Sequence, residues 1–418
     1  MSISKKWRAD AWYIPILALA MGLMMLRPLM MARIFDTAGF AIYGAGLLVS
    51  STFCMFGCLG LQPMLQRKMP ADFFNGKEIA SLVLLLQGII VAVFCAFVVS
   101  SVGLMDFQIA GLTPKSFLIS LLHGLSQQVF ILATVESRSR GEPLRFSFQN
   151  LIRAVVVVFF AGVVGLYTRS PAAALFVEAS LSLLVSWRIL AIVLSGRQVI
   201  PTKLFQLAFR RLPRIRWRDA LALMAVMLIG FGLTSIDRWF AASWLTVDEF
   251  AQYVFAWILL TASQSFQSIV NSSVYPSLAR RLASDSRRSS FRLAAKVSFL
   301  FLSIGFILMW PACYIFSYII SVWFAEYSSA LLLIPIFLVI AVVRLSDFWT
   351  SYLIIVGKER LLLVVNVAAG VIVFIVWLNA FWLDLGGNGS ALKLAWLALA
   401  LTISNYICVS CTAIRFRN

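Results

Sequence analysis

Charge is scarce in this sequence, and negative charge is scarcer still. Asp and Glu number 17 against 35 Lys and Arg in 418 residues, and charged residues make up 12% of the chain. Soluble domains carry about 25%, so an ordinary soluble globular fold is excluded. Histidine occurs once, at His123, which leaves little material for a histidine-based metal site. Cys54, Cys58, Cys95, Cys313, Cys408 and Cys411 all fall in apolar stretches, so no exported disulfide framework is evident. Cys408 and Cys411 form a lone CxxC without the second ligand pair that a zinc site uses. No metal or other cofactor is expected. There is no GxxxxGK[ST] loop and hence no ATPase of the chain's own. No stretch between apolar runs is long enough to be a domain, and the short outer loops leave no room for a catalytic one, so the chain reads as a non-enzyme.

What is abundant is apolar sequence: 61% of the residues are hydrophobic. A helix needs about 20 apolar residues to cross a hydrocarbon core, and a helix satisfies its own backbone there. Hydropathy predicts twelve spans, at 11–34, 39–64, 79–103, 114–135, 146–167, 171–194, 219–244, 250–274, 296–323, 329–355, 361–383 and 391–413. The basic N-terminal flank followed by an apolar run resembles a signal peptide, but it lacks a cleavage site and reads as an uncleaved first span. The fold class is therefore an all-α polytopic membrane protein. Loop charge sets its orientation. With the N-terminus inside, the cytoplasmic loops hold Lys5, Lys6, Arg8, Arg67, Lys68, Lys77, Arg138, Arg140, Arg145, Arg197, the run from Lys203 to Arg218, the run from Arg280 to Lys296, Lys358, Arg360, Arg415 and Arg417. The outer loops hold only Lys115, Arg169 and Lys393. Both termini are then cytoplasmic. The net charge of +18 is a topology signal with attraction to anionic headgroups. It is spread over many short loops, and nucleic acid is not an expected partner.

The chain repeats itself. PMLQRKMPAD (63–72) and PSLARRLASD (276–285) follow spans 2 and 8, while GEPLRFSFQN (141–150) and GKERLLLVVN (357–366) follow spans 4 and 10. The offsets, 213 and 216, nearly agree. Matches at corresponding places predict two six-helix lobes, 1–194 and 219–418, related by a parallel pseudo-repeat, with a transport site between the halves. Residues 195–218 form the basic linker. In it Leu204, Phe205, Ala208, Phe209 and Leu212 recur at helical spacing among cations, which fits either an amphipathic helix on the inner face or a plain solvated linker.

Charges inside the spans are the candidate functional residues. Six are arginines (Arg27, Arg33, Arg153, Arg188, Arg238 and Arg344) and three are acids (Glu178, Asp237 and Asp347). Insertion scales put each central Arg at about 2.5–3.5 kcal/mol, and such residues face a bundle interior or a wet cavity. Arg33 and Arg188 lie near span ends and can snorkel. Arg153 is deeper, about 12 Å from the inner face by helical rise, where snorkelling and an interior role both remain open. Arg27 and Arg238 are 211 residues apart, close to the repeat offset, so they are expected at similar depths. Asp237 and Arg238 are adjacent and point to different neighbours, as an ion pair between helices or as a cargo and coupling site. Arg344 and Asp347, at i, i+3, are expected to pair directly. Glu178 pairs with a facing arginine or titrates. His123 is expected to be hydrogen-bonded packing rather than a proton relay. A cavity of net positive charge attracts anions, and the planar fork of arginine suits phosphate.

The block SIDRWFAASWLTVDEFAQYVFAWILL followed by YPSLARRL resembles polysaccharide repeat-unit flippases of the multidrug/oligosaccharidyl-lipid/polysaccharide exporter superfamily. In these the typical features are an Asp-Arg pair on span 7, a Tyr on span 8 and a Pro before a basic loop, here Asp237, Arg238, Tyr253 and Pro276. SYLIIVGKERLLLVVN is similar to the span 10–11 turn of the same family. The resemblance implies translocation of an undecaprenyl-pyrophosphate-linked oligosaccharide from the inner to the outer leaflet of the bacterial cytoplasmic membrane, through a cationic cavity, by alternating access. The reading of the charges within the spans agrees with it, and makes Arg27, Arg153, Arg238 and Arg344 the candidate substrate-binding residues and Glu178, Asp237 and Asp347 the ion-coupling or structural ones. Membrane lipids, a polysaccharide polymerase and a chain-length regulator are the implied partners. Two other classes compete: a cation- or drug-coupled antiporter on the same fold, and a membrane-embedded glycan polymerase or glycosyltransferase. The major-facilitator plan lacks its Gly-x-x-x-Asp-Arg loop in GLQPMLQRKMPAD.

Overall fold

A computed structural model describes residues 12–103, 111–195, 201–284, 287–382 and 390–417. Lys5, Lys6, Arg8 and Arg197 fall outside them, as do the side chains of Pro276 and Arg280. The described residues form α1 (Tyr13–Ile34), α2 (Thr37–Phe56), α3 (Leu61–Phe74), α4 (Glu78–Gly103), α5 (Pro114–Ser139), α6 (Pro143–Thr168), α7 (Pro171–Ser195), α8 (Pro201–Arg210), α9 (Trp217–Trp244), α10 (Val247–Ser284), α11 (Arg287–Trp323), α12 (Ile334–Leu345), α13 (Trp349–Ile355), α14 (Glu359–Trp382) and α15 (Ser390–Arg415). Among the described residues, ten helical stretches are long and apolar enough to cross a membrane, the stretch Ile334–Ile355 counting as one. Two of the twelve expected spans, 250–274 and 361–383, are not among the ten. The first falls in α10 and the second in α14, helices whose side chains lie partly outside the described residues.

Local chemistry explains where the helices begin and end. Pro114, Pro143, Pro171 and Pro201 open α5, α6, α7 and α8, positions where proline's missing N–H costs nothing. Asp36 caps α2 by accepting from the Gly39 N–H at 2.8 Å, and Thr113 caps α5 through the Ser116 N–H at 3.2 Å. The repeated glycines Gly141 and Gly357 have the same backbone conformation, φ 70° and φ 76°. Each ends its helix with the same pair of bonds: Gly141 N to Arg138 O with Glu142 N to Ser137 O, and Gly357 N to Ile354 O with Lys358 N to Leu353 O. This is the Schellman arrangement, which favours glycine, so the sequence repeat at 141 and 357 is a repeat of one helix stop.

Two expected spans are interrupted. The stretch 39–64 breaks at Leu59 and Gly60, both with positive φ. A Cβ on Gly60 would lie 1.9 Å from the Ala220 carbonyl oxygen, so only glycine lets α9 approach there. The stretch 329–355 breaks between α12 and α13.

The chain divides into two compact units, Met1–Leu228 and Ile229–Asn418. The division falls within α9 rather than at residue 219. Linker residues Leu212, Ile215 and Trp217 pack with Cys58, Leu61 and Ala220, which joins this stretch to the first unit. In that unit a core of Leu65, Leu82, Leu86, Leu132, Ile189 and Leu204 ties α3, α4, α5, α7 and α8 together. In the second unit Leu278, Ala294, Trp349, Leu353, Leu362 and Val409 bring α10, α11, α13, α14 and α15 to one cluster.

Candidate functional site

In the first unit Arg27, Tyr43 and His123 converge on Glu178 of α7, which is fully buried. Its Oε2 accepts from Arg27 Nη1 of α1 at 2.5 Å, and its Oε1 accepts from the Tyr43 hydroxyl of α2 at 2.8 Å. The Nε2 of His123, on α5, lies 3.2 Å from Oε2. His123 Nδ1 is 3.0 Å from Ser50 Oγ. The Ser50 hydroxyl also reaches Gly46 O at 2.8 Å and Ser120 O at 2.7 Å. Nε2 also lies 3.2 Å from Gln127 Nε2 and accepts from it in the tautomer protonated on Nδ1. The amide is oriented for this, because Gln127 Oε1 accepts from Arg153 Nη2. The imidazole thus faces a carboxylate oxygen across 3.2 Å, and a proton on Nε2 would bridge the two.

Arg153 of α6 completes this network. Nε donates to Ser182 Oγ at 2.9 Å, and the guanidinium lies over the Phe130 ring, 4.3 Å from its centroid. Among the described residues no carboxylate stands within ion-pair distance of this arginine, which is 8% exposed. Arg33 and Arg188, by contrast, are exposed.

In the second unit Asp237 and Arg238 reach one neighbouring helix rather than two. Asp237 Oδ2 accepts from the Tyr253 hydroxyl at 2.7 Å, and Arg238 stacks on the Trp257 ring, 3.6 Å from its centroid. Tyr253 and Trp257 are one turn apart on α10, so adjacent residues of α9 contact successive turns of it. Arg238 Nη2 also donates to Ser235 Oγ at 2.7 Å.

Arg344 and Asp347 do not form the expected salt bridge. The helix that would hold them at i, i+3 ends at Leu345. Asp347 turns to the start of α13, where it accepts from the Thr350 N–H at 3.2 Å and from the Thr350 hydroxyl at 2.7 Å. Among the described residues Arg344 has only long contacts, to Thr234 O at 3.4 Å and Thr402 Oγ1 at 3.5 Å. It lines a cavity of about 150 Å³ with Gln264, Gln267, Thr402 and Asn405. Asp347→Ala is therefore expected to cost about 1 kcal/mol, the loss of a capping side chain. Thermal unfolding checks this, and a loss of 3–5 kcal/mol, the cost of breaking a buried ion pair, would contradict the assignment.

Three of these arginines share a property that the sequence does not reveal. Arg27 Nε, Arg238 Nε and Arg344 Nη1 are buried N–H groups without an acceptor among the described residues. Each such group costs about 1–3 kcal/mol. Sequence reasoning also missed Tyr43, Ser50, Gln127, Ser182 and Trp257 as partners. One signal was present: Ser116, Ser120, His123 and Gln127 recur at helical spacing along α5, a polar stripe in an apolar span.

Among the described residues, no group of three or more His, Cys, Asp or Glu is placed to hold a metal ion. No protein-family model matches the sequence, and no curated protein matches it. Solved structures do match in fold. The chain is similar to the eukaryotic MATE transporter AtDTX14, with 12% identity, a TM-score of 0.59 and coverage of 98% of this chain and 95% of that one. A mutant of the Vibrio cholerae MATE transporter VcmN gives 14% identity, a TM-score of 0.61 and coverage of 98% and 96%. A MOP superfamily transporter from Pyrococcus furiosus, described as having a binding pocket of reverse polarity that suggests a different function, gives 12%, 0.56, and 97% and 94%. The chain therefore has the MATE-type fold, and with its apolar helices it is a multi-pass membrane protein.

Proposed function

We propose that the protein is a flippase. It carries an undecaprenyl-pyrophosphate-linked oligosaccharide from the inner to the outer leaflet of the bacterial cytoplasmic membrane for surface polysaccharide assembly. Twelve spans, in two six-helix lobes with both termini cytoplasmic, alternate access to a cationic site. The observation that carries this reading is the set of buried arginine donors at Arg27, Arg238 and Arg344 that have no acceptor among the described residues. Arg153, buried with neutral partners only, adds to it. Donors left open in membrane helices fit an anionic cargo, and a pyrophosphate offers oxygens in the geometry that guanidinium forks take. The oligosaccharide follows the headgroup, while the polyprenyl tail remains in lipid.

The acids have other work. Asp237 holds α9 to α10 and Asp347 caps α13, while Glu178 with His123 forms the coupling site, where one proton bridges carboxylate and imidazole. The fold does not dictate the sign of the cargo: the Pyrococcus furiosus transporter is described as having a pocket of reverse polarity. A polymerase and a chain-length regulator are the proposed partners on the outer side.

A drug- or cation-coupled antiporter is the second reading, favoured by neighbours described as multidrug resistance MATE family transporters. An assay of sidedness separates the two. In cells lacking the protein, an impermeant glycan label applied to right-side-out and inverted vesicles should find complete single units on the inner leaflet. Single units on the outer leaflet would mean that translocation does not need this chain.

A further inference from the structure

Helix α8 has three faces with three different characters. At about 100° per residue, Leu204 and Ala208 share one side. They are buried in the core of the first unit, and the Ala208 carbonyl accepts from Gln87 Nε2 of α4 at 3.2 Å. About 100° further round are Phe205 and Phe209, 51% and 61% exposed. The remaining side carries Lys203 and Arg210, both exposed, and Arg211, Arg214, Arg216 and Arg218 continue the run beyond the helix end. The one carboxylate in this stretch is Asp219, 3.7 Å from Arg216.

We infer that α8 is a binding surface for anionic phospholipid of the inner leaflet, with the two phenylalanines in the acyl region and the cations on the headgroup phosphates. A helix held to the protein on one side needs a solvent for each of the other two. Two exposed phenylalanines next to the docked face are in the place where a helix lying in the membrane plane meets hydrocarbon. A soluble linker would gain nothing from that pair. Cations beside an apolar strip, with a single nearby acid, match a negatively charged surface rather than a zwitterionic one. Docking through Leu204 and Ala208 holds this surface ready, so binding does not require the helix to form from a disordered state. The inference rests on the membrane location of the chain and, for the inner leaflet, on the proposed orientation; it is independent of what is transported.

Hydrogen exchange of the full-length protein tests it. The protein is placed in nanodiscs of phosphatidylcholine alone, or with one-third phosphatidylglycerol. Amides of residues 201–211 are expected to exchange at least about fivefold more slowly in the anionic discs, the factor that corresponds to the ~1 kcal/mol one cation gains near an anionic surface. The slowing should vanish in Lys203→Gln/Arg210→Gln/Arg211→Gln/Arg214→Gln and in 1 M salt. Phe205→Ser/Phe209→Ser should speed exchange in both bilayers. Equal exchange in the two bilayers, or slowing that survives loss of the four cations, would overturn the proposal. So would protection that depends on two copies per disc rather than on lipid charge, which would assign the face to a second copy of the chain.

Discussion

Glu178→Gln is expected to cost the first unit about 3–5 kcal/mol, the penalty for removing one partner of a buried ion pair. The carboxylate accepts from Arg27 and Tyr43 and faces His123, so it is the point where α1, α2, α5 and α7 meet. Without its charge the guanidinium of Arg27, 8% exposed, is left with no counter-ion. The double variant Arg27→Gln/Glu178→Gln removes both charges and should recover most of the loss, because the desolvation cost of each ion disappears with it. Thermal unfolding of the two detergent-solubilised variants decides the matter. A double variant no more stable than the single one would show that something other than the pair holds these helices.

Arg153→Met is expected to behave in the opposite way: unfolding unchanged or shifted upward, and translocation reduced about ten- to a hundredfold. The stability half follows from its partners. Ser182, Gln127 and the Phe130 ring are neutral, so the buried cation has desolvation to bear and no ion pair to offset it. The transport half follows if the fork serves cargo, since a hydrogen bond to a charged group contributes about 1.5–3 kcal/mol and each 1.4 kcal/mol is tenfold. Arg153→Lys keeps the charge but not the fork and should retain part of the rate. Vesicle flipping measured beside thermal unfolding reads both halves. Stability that falls in step with transport would make Arg153 a structural residue.

The helices were legible in the sequence because their signals are local. Prolines at 114, 143 and 171 mark starts, and the glycines at 141 and 357 mark stops that the backbone then reproduces. The breaks at Gly60 and at Ser346–Phe348 were hidden inside apolar windows, since hydropathy is blind to a left-handed residue or to a capping Asp. Burial followed the expected grouping only in part: Arg27 and Arg238 are buried and Arg33 and Arg188 exposed, but Arg344 is half-buried, and the place of Arg153, which is buried, was left open by its position in the span. Partner choice was not legible. Arg344 and Asp347 look paired on a helical wheel, and only the end of α12 at Leu345 separates them. Glu178 and Arg27 are 151 residues apart, and nothing local joins them. His123 drew attention only for being alone, although the polar stripe on α5 pointed to its surroundings.

That same separation has a consequence for biosynthesis. Ribosomes add about 5–20 residues each second, so the 151 residues between Arg27 and Glu178 take about 8–30 s to make. For that interval α1 has been synthesised while its counter-ion does not yet exist. Throughout the wait the nascent chain carries an uncompensated guanidinium, at about 2.5–3.5 kcal/mol on insertion scales. The first helix must therefore enter the bilayer on the strength of its leucines and methionines alone, or linger at the insertion machinery until the seventh arrives.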